Sequence, residues 1–219
     1  MNYLSNLWNA LDVAGLESAI IRVVSVLLCL IIHEICHGLA AYALGDPTAK
    51  RYHRLSLNPL RHIDWLGLAA MLLTGVGWAK PVPVDMRYFK NPKQGMALTA
   101  LAGPASNFVL ALLMLLLARP ALTGALHGSG ASLFAEFAWR TAILSIGLGL
   151  FNLIPIPPLD GSKILAVFLP DRAYGWLMRY ERFGFIIVIL LVGYGVTSRY
   201  LNAGISAVFT LFCRIAGYY

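Results

Sequence analysis

Long apolar segments dominate this chain and limit the folds open to it. The clearest are residues 19–44, 95–118 and 134–154. Inside a bilayer, every backbone N–H and C=O must be paired within the protein, so segments of this length form helices. With 59% hydrophobic and only 12% charged residues among 219, the chain also has too little polar surface for a water-soluble globule. The sequence predicts an all-α polytopic membrane protein.

Other segments complete the predicted architecture. Residues 183–196 and 201–217 are further candidate spans, while the apolar run at residues 66–76 is short for a clean crossing and is expected to be re-entrant or tightly tilted. We therefore expect a single domain, residues 1–219, with about five to six transmembrane helices. In residues 77–84, alternating prolines and valines exclude a helix and favour extended backbone. This segment is either an edge strand that pairs with an unwound substrate or an ordinary interfacial loop.

The first apolar segment contains a His-Glu-x-x-His motif at residues 33–37. On a helix, His33 and His37 lie one turn apart on the same face, so both imidazoles can bind one zinc ion, with Glu34 beside them as a general base. Ionisable residues at membrane depth are costly, and function is their default explanation. Two alternatives stay open: a polar contact that holds helices together, and a metal-ion or proton-coupled transporter that uses these residues as a permeation site.

A catalytic zinc ion usually has three protein ligands and keeps a fourth position for water or substrate. The apolar span that ends near Asn152 is followed by three prolines, which break the helix and deliver Asp160 at the break. Asp160 is therefore the candidate third ligand. The alternative is that Asp160 simply caps the helix that follows it. A further polar feature, Asn107, lies in an apolar span after Gly103, where it serves either helix packing or contact with a substrate backbone.

The distribution of basic residues predicts the orientation in the membrane. The net charge of +7 comes from inter-helix loops, with no continuous basic stripe and no nucleic-acid-binding motif, so no nucleic acid partner is expected. By the positive-inside rule, two basic stretches are cytoplasmic, which places the N-terminus and residues 120–133 outside and the metal site nearer the cytoplasmic face. These stretches contain Lys50, Arg51, Arg54, Arg61, Lys80, Arg87, Lys90 and Lys93, then Lys163, Arg172, Arg179 and Arg182.

Taken together, these motifs resemble the site-2 protease family of intramembrane zinc proteases, in particular its small prokaryotic branch without PDZ or CBS domains. The resemblance extends over most of the chain between about Ile32 and Leu165. It rests on residues 33–38, 45–50, 55–60, 62–64, 77–84, 103–107 and 152–161.

The resemblance implies a polytopic helical core in which His33, His37 and Asp160 hold one zinc ion (Zn2+) per chain and Glu34 is the catalytic acid and base. It implies that Asn107 and Asn152 position substrate or stabilise developing charge. It also implies a prokaryotic cell-membrane enzyme that cleaves a single-pass membrane protein, or a membrane peptide, in or near its membrane segment.

A transporter would be expected to show internal repeats, and none is visible. An inactive scaffold would usually have lost one of the four site residues. The sequence names neither the substrate nor the oligomeric state.

Overall fold

The structure, a computed structural model, describes residues 13–64, 80–179, 184, 186–188, 190–191 and 196–218. The helices are α1 (Val13–Ala43), α2 (Thr48–Arg51), α3 (Pro92–Leu122), α4 (Ser129–Asn152), α5 (Asp160–Ala166), α6 (Asp171–Arg179) and α7 (Val196–Ile215). Short 3-10 turns occupy Pro59–Arg61 and Met86–Tyr88. No β-sheet is present among the described residues, and the predicted all-α class is confirmed.

Three of these helices, α1, α3 and α4, have the length and composition needed to cross a membrane. They match the three clearest apolar segments of the sequence, and each helix begins a few residues earlier than its segment. The predicted segment at 66–76 lies outside the described residues, as does much of 183–196. Helix α7 covers the last predicted span, but it is less apolar and is not one of the three. The total of five to six spans stays a prediction.

Small side chains allow α3 and α4 to pack closely on each other, with α1 lying against both. Ala111 on α3 and Ala138 and Ala142 on α4 are fully buried, which lets the helix backbones approach. Helix α7 packs against α4 and α3, and the Trp139 and Phe209 rings meet edge to face with centroids 4.8 Å apart. The core is therefore a bundle of three long helices supported by α7.

A buried polar stripe runs along the inner face of α1. Ser25, Cys29, His33 and His37 recur every four residues and are all buried, as expected for one helix face. The Thr141 hydroxyl donates to the Ser25 hydroxyl at 2.9 Å, and the Cys29 thiol donates to the Thr141 carbonyl at 3.7 Å. These contacts orient α1 so that its two histidines face the centre of the bundle.

The Asp46 carboxylate, just after α1, joins distant parts of the chain. It is completely buried. One oxygen accepts hydrogen bonds from the Thr48 amide at 2.9 Å and the Thr48 hydroxyl at 2.5 Å. The other accepts from the Asp85 amide at 2.7 Å. Asp46 thus fixes residues 80–85, which we call the Pro-Val segment, to the end of α1.

We expect Asp46→Asn to lower the free energy of unfolding by about 2 kcal/mol, because an NH2 group replaces one of the two accepting oxygens and leaves either the Thr48 or the Asp85 N–H without a partner. Denaturant unfolding in mixed micelles measures this change.

Asp171→Asn is the matched control. The Asp171 carboxylate lies 2.5 Å from the Lys93 ammonium, and its side chain is 95% exposed. A hydrogen bond from Lys93 lowers the pKa of Asp171, but exposed ion pairs contribute little to stability, so this variant should unfold like wild type. Equal stability of the Asp46 variant and wild type would contradict the role given to Asp46.

Candidate metal centre

Helix α1 places the imidazoles of His33 and His37 side by side. Their Nε2 atoms are 3.0 Å apart, and the rings meet edge to face at 89°. Only 4% of His33 and 8% of His37 are exposed. The spacing of four residues therefore puts both rings on one buried face, as the sequence predicts.

The Asp160 carboxylate meets both imidazoles. Its Oδ2 atom lies 3.2 Å from each Nε2, and the three candidate ligand atoms lie within 4.8 Å of one another. Helix α5 begins at Asp160, with Leu159 as its N-cap residue and no side-chain capping bond. The alternative that Asp160 serves as a helix cap is therefore wrong. The carboxylate faces the histidines instead.

Glycine at position 161 allows Asp160 to reach this position. A Cβ atom there would overlap the Leu153 carbonyl and lie 2.6 Å from the Ile154 carbonyl oxygen. Because both obstacles are backbone, no side-chain adjustment relieves them. Gly161 thus lets α5 pack directly against the turn that leaves α4, which carries Asp160 back to α1.

Helix α3 forms the wall behind the two rings. A Cβ atom at Gly103 would overlap the His37 imidazole and lie 2.7 Å from Cε1 of His33. One turn earlier, the Thr99 carbonyl accepts a hydrogen bond from Nδ1 of His37 at 2.7 Å. A proton held on Nδ1 leaves the lone pair of Nε2 available on the side that faces Asp160. Thr99 is thus an orienting residue that no sequence motif identified.

The donor set fits zinc. Ligand atoms at zinc–nitrogen and zinc–oxygen distances of about 2.0–2.2 Å in a tetrahedral arrangement are roughly 3.3 Å apart. The observed separations among the two Nε2 atoms and Oδ2 are 3.0, 3.2 and 3.2 Å. Two neutral imidazoles and one carboxylate also form a ligand combination found in catalytic zinc sites. On α3, the residue next to the two imidazoles is Gly103, which has no side chain to displace them.

Glu34 lies beside the histidines on α1 and contacts the Pro-Val segment. Its Oε2 atom accepts a hydrogen bond from the Val82 amide at 2.9 Å. The carboxylate is partly buried. In this segment, residues 80–84 form neither helix nor strand, and residues 77–79 of the predicted extended stretch lie outside the described residues. Pairing of this stretch with a substrate stays a prediction. Sequence reasoning missed the contact with Glu34, because a backbone donor has no residue-type signature.

The two asparagines lie in different surroundings. Asn107 is completely buried, and neither polar atom of its side chain has a hydrogen-bond partner among the described residues. Its backbone carbonyl accepts a hydrogen bond from the Ser145 hydroxyl at 2.8 Å. Asn152 is partly buried, and its side-chain amide donates to the Leu148 carbonyl of its own helix at 2.9 Å. Their predicted contacts with substrate remain predictions.

Comparison with known proteins finds similarity to a peptidase family and to relatives named as zinc metalloproteases. The model of peptidase family M50 matches residues 120–192, which include Asn152 and Asp160. YwhC of Bacillus subtilis (strain 168) is 35% identical over 206 residues, covering 88% of this chain and 91% of the relative. Rip2 of Mycolicibacterium smegmatis is 33% identical over 175 residues, covering 76% of this chain and 64% of the relative. Both relatives carry names that describe zinc metalloproteases. No solved structure matches the chain.

We expect Gly103→Ala to weaken zinc binding by about 10-fold or more, because the added methyl group displaces both imidazoles, and changes next to metal ligands have effects of this size. Competition with a chromophoric chelator on detergent-purified protein measures the affinity.

Gly130→Ala is the matched control, since an added Cβ at Gly130 of α4 meets no atom within 4 Å. That variant should bind zinc as wild type does. A Gly103 variant with unchanged zinc affinity would contradict the packing of α3 against the imidazoles.

Proposed function

The chain belongs to peptidase family M50, the site-2 proteases, and from this membership we propose that His33, His37 and Asp160 bind its zinc ion while Glu34 is its catalytic acid and base. The protein is an intramembrane zinc metalloprotease. The convergence of three buried ligand atoms within 4.8 Å carries the assignment of the ligands. Glu34 is assigned by its position between the two histidines of the motif.

A zinc ion held by these residues would act as a Lewis acid toward the substrate carbonyl and the attacking water. Glu34 accepts a proton from that water as the oxygen attacks the carbonyl carbon. The same carboxyl group then gives the proton to the nitrogen that leaves when the C–N bond breaks. The Thr99 carbonyl holds the proton of His37 on Nδ1, so Nε2 would be free to bind the zinc ion.

Asn107 and Asn152 have supporting roles in this proposal, in positioning substrate or stabilising developing charge. Asn152 is the better placed for direct contact, because it is partly exposed at the end of α4, close in sequence to Asp160. Asn107 is completely buried, one turn after Gly103 on α3. We assign it to the inner wall of the site.

The proposed substrate is a single-pass membrane protein or a membrane peptide, cut in or near its membrane segment. Two of the proposed ligands, His33 and His37, lie on an apolar helix long enough to cross a membrane, which supports access of a substrate in the same bilayer by lateral movement. A helical substrate hides its peptide bonds, and we propose that it must unwind locally before hydrolysis. The relatives named as metalloproteases favour this function over the transporter alternative.

We further propose that the N-terminus lies outside and that the site opens toward the cytoplasm. His37 lies six residues before the end of α1 at Ala43, which is roughly 9 Å along the helix at 1.5 Å per residue. The residues that follow include Lys50 and Arg51, and an excess of Lys and Arg is typical of cytoplasmic loops. At this depth, water can reach the site from that side.

We expect Glu34→Gln to keep zinc and to lower kcat at least about 100-fold, because the amide cannot accept the proton of the attacking water. Asp160→Ala should lose most of its zinc, because it removes a ligand. Elemental analysis measures the zinc content per chain. Cleavage is measured with a labelled pool of single-span transmembrane peptides in micelles.

Glu136→Gln is the control for Glu34→Gln. Glu136 forms a partly exposed ion pair with Arg140 at 2.7 Å on α4, and its loss should change neither zinc content nor cleavage. Proteolysis retained by Glu34→Gln would refute the assignment of the catalytic base. Full zinc retained by Asp160→Ala would move the third ligand elsewhere.

The orientation predicts a labelling pattern for single cysteines in a chain whose three native cysteines are replaced. Leu126 is 57% exposed and lies between α3 and α4, whereas Tyr52 is 68% exposed and follows α2. A membrane-impermeant maleimide should label Leu126→Cys in intact cells and Tyr52→Cys only after permeabilisation. The reverse pattern would contradict the proposed topology.

A further inference from the structure

We propose that Val82 is a positioning residue for catalysis, because its backbone N–H holds one oxygen of Glu34 and leaves the other to take the proton. This inference rests on the proposed function, since it concerns the base assigned there. The contact joins Oε2 of Glu34 to the Val82 nitrogen at 2.9 Å. A donor bonded to an ionised carboxylate forms a strong hydrogen bond, so it can fix the rotation of a side chain that would otherwise have several rotamers.

The sequence and the anchoring of the Pro-Val segment place the Val82 N–H next to Glu34. Residues 81 and 83 are prolines and have no N–H of their own. On either side of them, the Lys80 amide donates to the His62 carbonyl at 2.9 Å and the Asp85 amide donates to Asp46 at 2.7 Å. Both ends of the segment are therefore anchored to the protein. Between these anchors, the Val82 amide donates to Glu34.

The side chain of Val82 holds the segment against α1. Val82 is only 9% exposed. A Cβ atom at Gly38, one turn after Glu34 on the same face of α1, would lie 3.3 Å from Cγ1 of Val82. The absence of a side chain at Gly38 thus lets the segment lie close to the helix. Because Val82 is buried, water competes less for the hydrogen bond between its N–H and Glu34, and this hydrogen bond is stronger as a result.

The two carboxylate oxygens of Glu34 therefore have different surroundings. Oε2 is occupied by the Val82 N–H, and Oε1 is the oxygen that remains for the attacking water. Catalytic groups must be held close to the productive geometry, and neighbouring hydrogen bonds supply that restraint. Position 82 thus requires a residue with a backbone N–H, although proline stands on both sides of it. Val84 provides a natural comparison, because its N–H has no acceptor among the described residues.

Hydrogen exchange tests the contact without any substrate. Val82 and Val84 are the only valines that follow a proline. Protein labelled with 13C at proline carbonyls and 15N at valine amides therefore gives only these two signals in a carbonyl-to-amide correlation spectrum. In wild type, the Val82 amide should exchange at least 10-fold more slowly than the Val84 amide. In Glu34→Ala, its exchange rate should rise to that of Val84. Equal rates in wild type, or a slow Val82 amide in Glu34→Ala, would overturn the proposal.

Replacing a single amide by an ester tests the effect on catalysis. α-Hydroxyvaline at position 82 removes the N–H and keeps the side chain, and the same change at position 84 is the matched control. We expect the ester at 82 to lower kcat by about 10-fold or more, with KM and zinc content unchanged. The ester at 84 should keep the wild-type kcat.

The outcomes separate this inference from the proposed function. An ester at 82 with wild-type kcat would overturn the role of Val82 while the protease assignment stands. Equal losses from both esters, or loss of zinc from the ester at 82, would indicate a general weakening of the segment and also contradict it. A wild-type protein that cleaves no peptide would overturn the proposed function and, with it, any catalytic role for Val82.

Discussion

The cost of placing two imidazoles and a carboxylate inside an apolar helix bundle is the constraint on which the rest of this structure depends. Such groups are tolerated at membrane depth only when they are paired with one another or with a metal ion. Here Oδ2 of Asp160 lies 3.2 Å from Nε2 of both His33 and His37. Bringing these atoms together requires close approach of α1, α3 and α5, and glycine provides it at positions 103 and 161.

Helix α1 has two polar regions with different tasks. Its inner stripe, which includes His33 and His37, faces α3 and α4. Glu34, and Asp46 just beyond the helix, instead accept hydrogen bonds from the amides of Val82 and Asp85. The same helix therefore organises the proposed metal site on one side and the Pro-Val segment on another. Glu34 belongs to both, because it follows the first histidine directly in sequence.

Local periodicity explains what could be predicted from sequence. The shared face of His33 and His37 follows from the helical repeat alone, and the three long helices follow from apolar length. For Asp160, local pattern allowed either a helix cap or a metal ligand, and its contact with both histidines arises only in the tertiary fold. The contacts of Val82, Thr99 and Asp46 were missed because each involves a backbone atom that meets a side chain far away in sequence. Such pairs depend on packing and leave no pattern of residue types.

The most direct test of the central claim is X-ray absorption at the zinc K-edge of the detergent-purified protein. We predict nitrogen and oxygen ligands at about 2.0–2.2 Å, outer-shell scattering from two imidazoles, and no sulfur shell near 2.3 Å. A sulfur shell would contradict the account and point to Cys29 or Cys36, which lie on the same helix as the histidines. Scattering from more or fewer than two imidazoles would equally contradict a site made of His33, His37 and Asp160.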